Sequence, residues 1–151
     1  MPEYRRILAV VDFDNAHLPR RAFNLARAMG AELAFLHIIP PDPSLDGGYP
    51  PPSRAELARG FEAAALRRLA FLSAQLQLDG AALLARYGLP EQAFTEIATD
   101  WNPDLVVADT DPGYLSGRHD LLLMGRAHGR QGWLKRALGQ ILLPAWQTGG
   151  A

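Results

Sequence analysis

From Tyr4 to Pro40 the chain switches between two kinds of apolar pattern. Ile7–Val11 is an unbroken apolar run bounded by Arg5-Arg6 and Asp12, as expected of a strand buried on both faces. Asp12, Asp14 and Asn15 supply capping side chains for a helix that follows. Pro19 fits the first turn of that helix, where a missing N–H costs little. Leu18, Ala22, Leu25, Ala26 and Met29 then recur at helical spacing, and Gly30 stands where a C-terminal cap belongs. Leu33–Ile39 is a second buried run, closed by Pro40-Pro41. Strand, helix and strand joined by short turns predict a βαβ unit with a right-handed crossover.

The alternation continues after an interruption. Residues 40–53 (PPDPSLDGGYPPPS) are rich in proline, glycine and aspartate and predict a long, mobile surface loop. Ser53 and Glu56 form a capping-box pattern opening a long helix, whose Leu57, Phe61, Ala65, Leu69, Leu72 and Leu76 share one stripe. Asp79-Gly80 is a turn, and Ala81–Tyr87 a third strand. Pro90 opens the next helix, with Phe94, Ile97, Ala98 and Trp101 as its apolar face and Asn102-Pro103 as its stop. Leu105–Ala108 is a fourth strand. The pattern predicts an α/β fold: one doubly wound domain over 1–151, with a five-stranded parallel sheet, helices on both faces and Ile7–Val11 central.

The last third admits two assignments. In the first, which we favour, residues 110–128 form an atypical insertion or loop. Trp133–Leu138 then belongs to a final helix, and Ile141–Trp146 is the fifth strand, at an edge because Pro144 cannot donate to a ladder. In the second, Asp120–Gly125 is the strand, which leaves too little chain for a further helix and strand.

At 151 residues the chain is long enough for one domain with a sizeable core. A net charge of −1 gives no global field toward nucleic acid or an anionic membrane, so neither is expected as a partner. The absence of cysteine removes disulfides, thiolate chemistry and cysteine metal sites. The opening MPEYRR lacks a signal-peptide core and no apolar run reaches spanning length, so the expected address is the cytoplasm. None of His17, His37, His119 and His128 has a partner at metal-binding spacing, and no serine sits in a nucleophile elbow. No catalytic constellation emerges, so the chain is not expected to be an enzyme or to hold a metal.

ILAVVD, GAEL and LHIIP in the first unit, then Gly88-Leu89-Pro90 and Asn102-Pro103-Asp104-Leu105-Val106-Val107, resemble the universal stress protein family. The likeness is good over the earlier part of the chain and poor over the last third. It implies an adenine nucleotide alpha hydrolase-like fold, a homodimer and a role in stress resistance. In nucleotide-binding members the position of Asp12 contacts a ribose, and the strand end at His37-Ile38-Ile39 holds adenine. Asp12 serves equally well as a cap for its own turn. The family's phosphate motif follows the fourth strand as glycine, two residues, glycine, nine residues, glycine, then serine or threonine. Counted from Asp104-Leu105-Val106-Val107, its first two glycine positions fall on Asp109 and Pro112. Proline offers no N–H, and Asp109 and Asp111 repel a polyphosphate.

A second alignment uses Gly125, Gly129 and Gly139, with three residues in the first gap, nine in the second, and Gln140 in place of the hydroxyl residue. From Gly113 onward five Lys or Arg stand against one acid, Asp120, a local excess that suits an anion. The leading expectation is a non-enzymatic homodimer without ATP, paired through Ile141–Trp146 and acting on an unknown protein partner. The alternative is a nucleotide-dependent switch holding ATP with magnesium at Asp12, Ile39, Gly125, Gly129 and Gly139.

Overall fold

The computed structural model describes residues 4–42, 51–115, 117 and 119–125. Eight elements follow one another: β1 (Arg6–Val10), α1 (His17–Met29), β2 (Glu32–Ile39), α2 (Pro51–Leu76), β3 (Ala82–Tyr87), α3 (Pro90–Trp101), β4 (Leu105–Ala108) and β5 (Asp120–Leu123). The strands form one five-stranded sheet in the order β3-β2-β1-β4-β5, and every neighbouring pair is parallel. β1 is central, as its double-sided apolar pattern requires.

Alternate residues of β1 serve two cores. Ile7, Ala9 and Val11 join Leu18, Ala22 and Ala26 of α1 and Leu69 of α2 on one face. Leu8 joins Leu36, Val106 and the α3 residues Phe94 and Ile97 on the other. Ile7, Leu8 and Ala9 are fully buried, and side chains of the size of Ile7 and Leu8 are worth about 1.5–3 kcal/mol each once removed from water. Gly30 ends α1 with φ 66°, a left-handed cap that frees Ala31 N–H to reach Ala26 O at 2.9 Å. Met29, expected on the buried stripe, lies past its end and is 41% exposed.

The polar ends of the strands are tied crosswise. The Asp104 carboxylate accepts the N–H groups of Arg5 (2.8 Å) and Arg6 (3.0 Å), joining the start of β4 to the start of β1. Arg6 pairs with Glu32 at 2.7 Å, donates from Nε to Trp101 O at 2.9 Å and lies 4.2 Å over the Trp101 ring.

Two expectations need correction. The long helix starts at Pro51 and not after Ser53, so residues 51–53 are helical and the loop of 40–53 is shorter than expected. Proline is at home there because first-turn N–H groups have no helical partner to lose. The fifth strand of the described sheet is Asp120–Leu123, inside the stretch 110–128 that was assigned to a loop. It pairs in parallel with β4 from Leu105↔Asp120 to Ala108↔Leu123. Trp133–Leu138 and Ile141–Trp146 lie outside the described residues. No helix among the described residues is long and apolar enough to cross a membrane.

Candidate functional site

In a parallel sheet with helices on both faces, ligands are held beyond the carboxyl ends of the strands, where neighbouring connections diverge. Here that point lies between β1 and β4, with β2 on the other side of β1. The chain leaves β1 through Val11, whose N–H donates to Leu36 O at 2.7 Å. Asp12 and its neighbours then fold into a compact turn. The Asp12 carboxylate accepts Asp14 N–H at 3.0 Å, and its backbone carbonyl accepts Asn15 N–H at 3.0 Å. Asp12 therefore serves its own turn, as the simpler of its two expected roles has it.

Asn15 is 4% exposed and accepts His17 N–H on Oδ1 at 3.2 Å, which settles the opening of α1. Its Nδ2 is buried with no hydrogen-bond partner among the described residues. Phe13 packs between His37, with ring centroids 4.4 Å apart, and Arg68, whose guanidinium lies 4.0 Å over the Phe13 ring. His37 Nδ1 is 2.8 Å from Val11 O, so the histidine is held by the strand beside it. Ile39 closes β2, and its carbonyl accepts Gly88 N–H at 3.0 Å.

The exit of β4 borders the same point. Asp109, Thr110, Asp111, Pro112 and Gly113 follow Ala108 directly. Gly113 N–H, the donor that a glycine turn would offer to a phosphate, is given to Asp111 Oδ1 at 2.8 Å. An Asp two residues before a Gly is the signature of such an Asx turn, so this capture was legible in the sequence and was missed. Beyond it the chain crosses to β5 without a helix. Leu115 is buried at 2%, Tyr114 and His119 pack on Phe94, and His119 Nε2 lies 2.5 Å from Leu115 O. Burial against this cluster, and then the charge of Glu91, raise the Tyr114 phenol above its usual value.

Gly125 comes one residue after Met124, whose N–H donates to Ala108 O at 2.7 Å. It thus stands at the end of β5, on the far side of β4 from β1. Two inter-strand spacings put it roughly 10 Å from the line of β1. The fold brings Asp12 and Ile39 to neighbouring strand ends and sets Gly125 apart from both. Gly129 and Gly139 lie outside the described residues. Among the described residues no three metal-ligating side chains come together.

A cleft of about 500 Å³ opens at the opposite end of the sheet, among Phe23, Arg27, Glu32, Gln77, Asp79 and Trp101. It sits at the amino ends of β2 and β3, away from Asp12. The Arg6–Glu32 pair and the Arg6–Trp101 contact engage two of its lining residues, Glu32 and Trp101.

The universal stress protein family matches residues 3–142. No curated protein matches the chain. Among solved structures, a universal stress protein in complex with cAMP is 18% identical with a TM-score of 0.53, over 83% of this chain and 100% of that one. A protein of the same family from Burkholderia pseudomallei is 19% identical with a TM-score of 0.59, over 82% and 98%. The universal stress protein UspA from Lactobacillus plantarum is 20% identical with a TM-score of 0.55, over 82% and 99%. At these identities the structures speak for the fold. The match over most of the length rests on its own footing, and by it the chain belongs to the universal stress protein family, which supports a role in stress response.

Proposed function

We propose that the protein acts in stress response through protein contacts, as a cytoplasmic, non-enzymatic homodimer that does not bind ATP. The observation that carries this reading is the exit of β4, where Asp111 takes Gly113 N–H and Pro112 has none to give. A polyphosphate brought there meets carboxylates in place of donors. At an effective dielectric near 20 and a separation of about 5 Å, each unit of ligand charge costs about 3 kcal/mol against one carboxylate. Solvent at the exposed Asp111 reduces that figure without changing its sign. Association is supported by the described sheet edge at β5, where Leu122 and Leu123 are 39% and 40% exposed beside strand groups that no other described strand pairs with. Titration calorimetry with ATP and magnesium tests the reading. No heat of binding is expected, and a dissociation constant at or below about 10 μM would overturn it.

A second reading, a nucleotide-dependent switch, draws on one feature. Asn15 Nδ2 is a buried donor close to Asp12, and a group of that kind costs stability until something accepts from it. The related structure holding cAMP carries a ligand with a single phosphate, which asks for fewer donors than ATP. The same calorimeter run with cAMP separates the two readings.

A further inference from the structure

The cleft at the amino ends of β2 and β3 has a volume of about 500 Å³, within the range that small ligands occupy. Three connections build it. The last turns of α1 bring Phe23 and Arg27, the turn from α2 to β3 brings Gln77 and Asp79, and Trp101 closes α3. The half-buried rings of Phe23 and Trp101 give it an apolar wall. One backbone feature marks the turn as more than a connection. Gln77 follows α2 at φ 56°, in the left-handed region where a side chain is strained and glycine is at home. α1 ends on Gly30 in that same conformation. A glutamine at such a position keeps its amide at the cleft at a conformational cost, and strain of that kind concentrates at ligand sites.

The lining charges fix the class of ligand. Glu32 is already paired with Arg6 at 2.7 Å. The side chains of Arg27 and Asp79 have no hydrogen bond or ion pair among the described residues, and the Arg27 guanidinium lies 5.7 Å over the Phe23 ring of its own helix. An apolar molecule seated here would strip water from both charges and match neither. An anion would meet Arg27 but face Asp79 and Glu32, and a cation would meet Asp79 but face Arg27. A molecule with both a carboxylate and an ammonium leaves neither charge unmatched. We propose that the cleft binds a small zwitterion with an apolar body, of the class of a dipeptide. Its carboxylate meets Arg27, its ammonium meets Asp79, its body lies on the two rings, and the Gln77 amide serves its peptide group. The cleft is at the opposite end of the sheet from Asp12 and the exit of β4, so the inference stands whether or not a nucleotide binds there.

The probe is leucylphenylalanine, with three relatives: acetylated at its amino end, amidated at its carboxyl end, and blocked at both. Amide NMR spectra of the isotope-labelled whole chain should shift at Arg27, Gly80 and Ala81, with a dissociation constant of about 1 mM or below. Blocking either end should weaken binding by about tenfold. Arg27→Gln should erase the gain from the free carboxylate and keep the gain from the free ammonium, and Asp79→Asn should do the reverse. Gln77→Gly should not lower the melting temperature, since relief of the left-handed turn offsets the added freedom of the unfolded chain. It should weaken the peptide all the same, which a merely structural role would not do. All three positions are exposed, so every variant keeps the fold. Silence at about 10 mM peptide, equal binding of the doubly blocked form, or shifts confined to Asp12 and its turn would each overturn the proposal. Full affinity in the Arg27, Gln77 and Asp79 variants alike would overturn it too.

Discussion

Gly113 gives its N–H to the Asp111 carboxylate at 2.8 Å, so the turn that leaves β4 carries its own anion. The consequence is testable by removal. Replacing Asp109, Asp111 and Pro112 together with glycine withdraws two negative charges and returns two backbone donors, the N–H at position 112 and the Gly113 N–H that Asp111 held. That variant should gain measurable binding of ATP with magnesium where the parent is expected to show none. Calorimetry in which the variant stays as silent as the parent would mean that the turn is not what excludes the ligand.

Leu8 is fully buried in the core on the α3 side. Leu8→Ala should cost about 2–5 kcal/mol, through lost burial and the cavity left behind. Val10 is only half-buried, so Val10→Ala should cost clearly less. Urea melts of both variants check the order, and equal losses would show that β1 is not buried as described.

Asp104 holds the Arg5 and Arg6 amides at 2.8 and 3.0 Å. A carboxylate in two such bonds is worth about 1.5–3 kcal/mol for each bond to the charged group. Asp104→Ala should therefore lower stability by at least about 1.5 kcal/mol, and Asp104→Asn should recover part of the loss. A melt unchanged from the parent would argue that the clamp is decorative.

Tyr4 OH donates to Asp120 Oδ2 at 2.5 Å. That hydrogen bond first, then burial, then the charges of Asp120 and Asp104, raise the phenol above its usual value of 10.0. A raised folded value means that the tie is fully present below the unfolded pKa, about 10, and is lost as pH rises through the folded one. The advantage of the parent over Tyr4→Phe should stay level to about pH 9 and shrink above about pH 10. An advantage that grows with alkali would contradict the assignment.

If the β5 edge pairs two copies, light scattering at tens of micromolar, a common range for cellular affinities, should report a dimer. Leu122→Lys with Leu123→Lys should then give a monomer. A double variant that remains dimeric would move the interface elsewhere.

Much of the architecture was legible in the sequence because local chemistry and the fold agree. Gly30, Asn102-Pro103 and the apolar runs of β1, β2 and β4 mark the same boundaries in both. β5 was misjudged for a physical reason. Parallel neighbours ordinarily need a helical crossover, and the stretch between Ala108 and Asp120 is too short and too rich in glycine, proline and aspartate for one. The chain instead crosses on Tyr114, Leu115 and His119 packed over Phe94, a tertiary arrangement that no periodicity announces. The same strand sets Gly125 at its own end, with β4 between it and β1. Asn15 escaped notice as anything but a cap because burial of its amide depends on neighbours distant in the chain.

β1 is apolar toward both cores, and this removes the usual guard against misalignment. In a strand with one wet face, a slip of one residue drags polar groups inside and is refused. Ile7, Leu8 and Ala9 could each move one place and still meet only hydrocarbon. What distinguishes the native alignment is the chemistry at the strand's start: the two amides held by Asp104 and the Arg6 guanidinium held by Glu32 and Trp101 O. These groups act as a ratchet tooth for a smooth rod. A chain that lost them would keep its apolar centre and lose its choice among near-equal alignments.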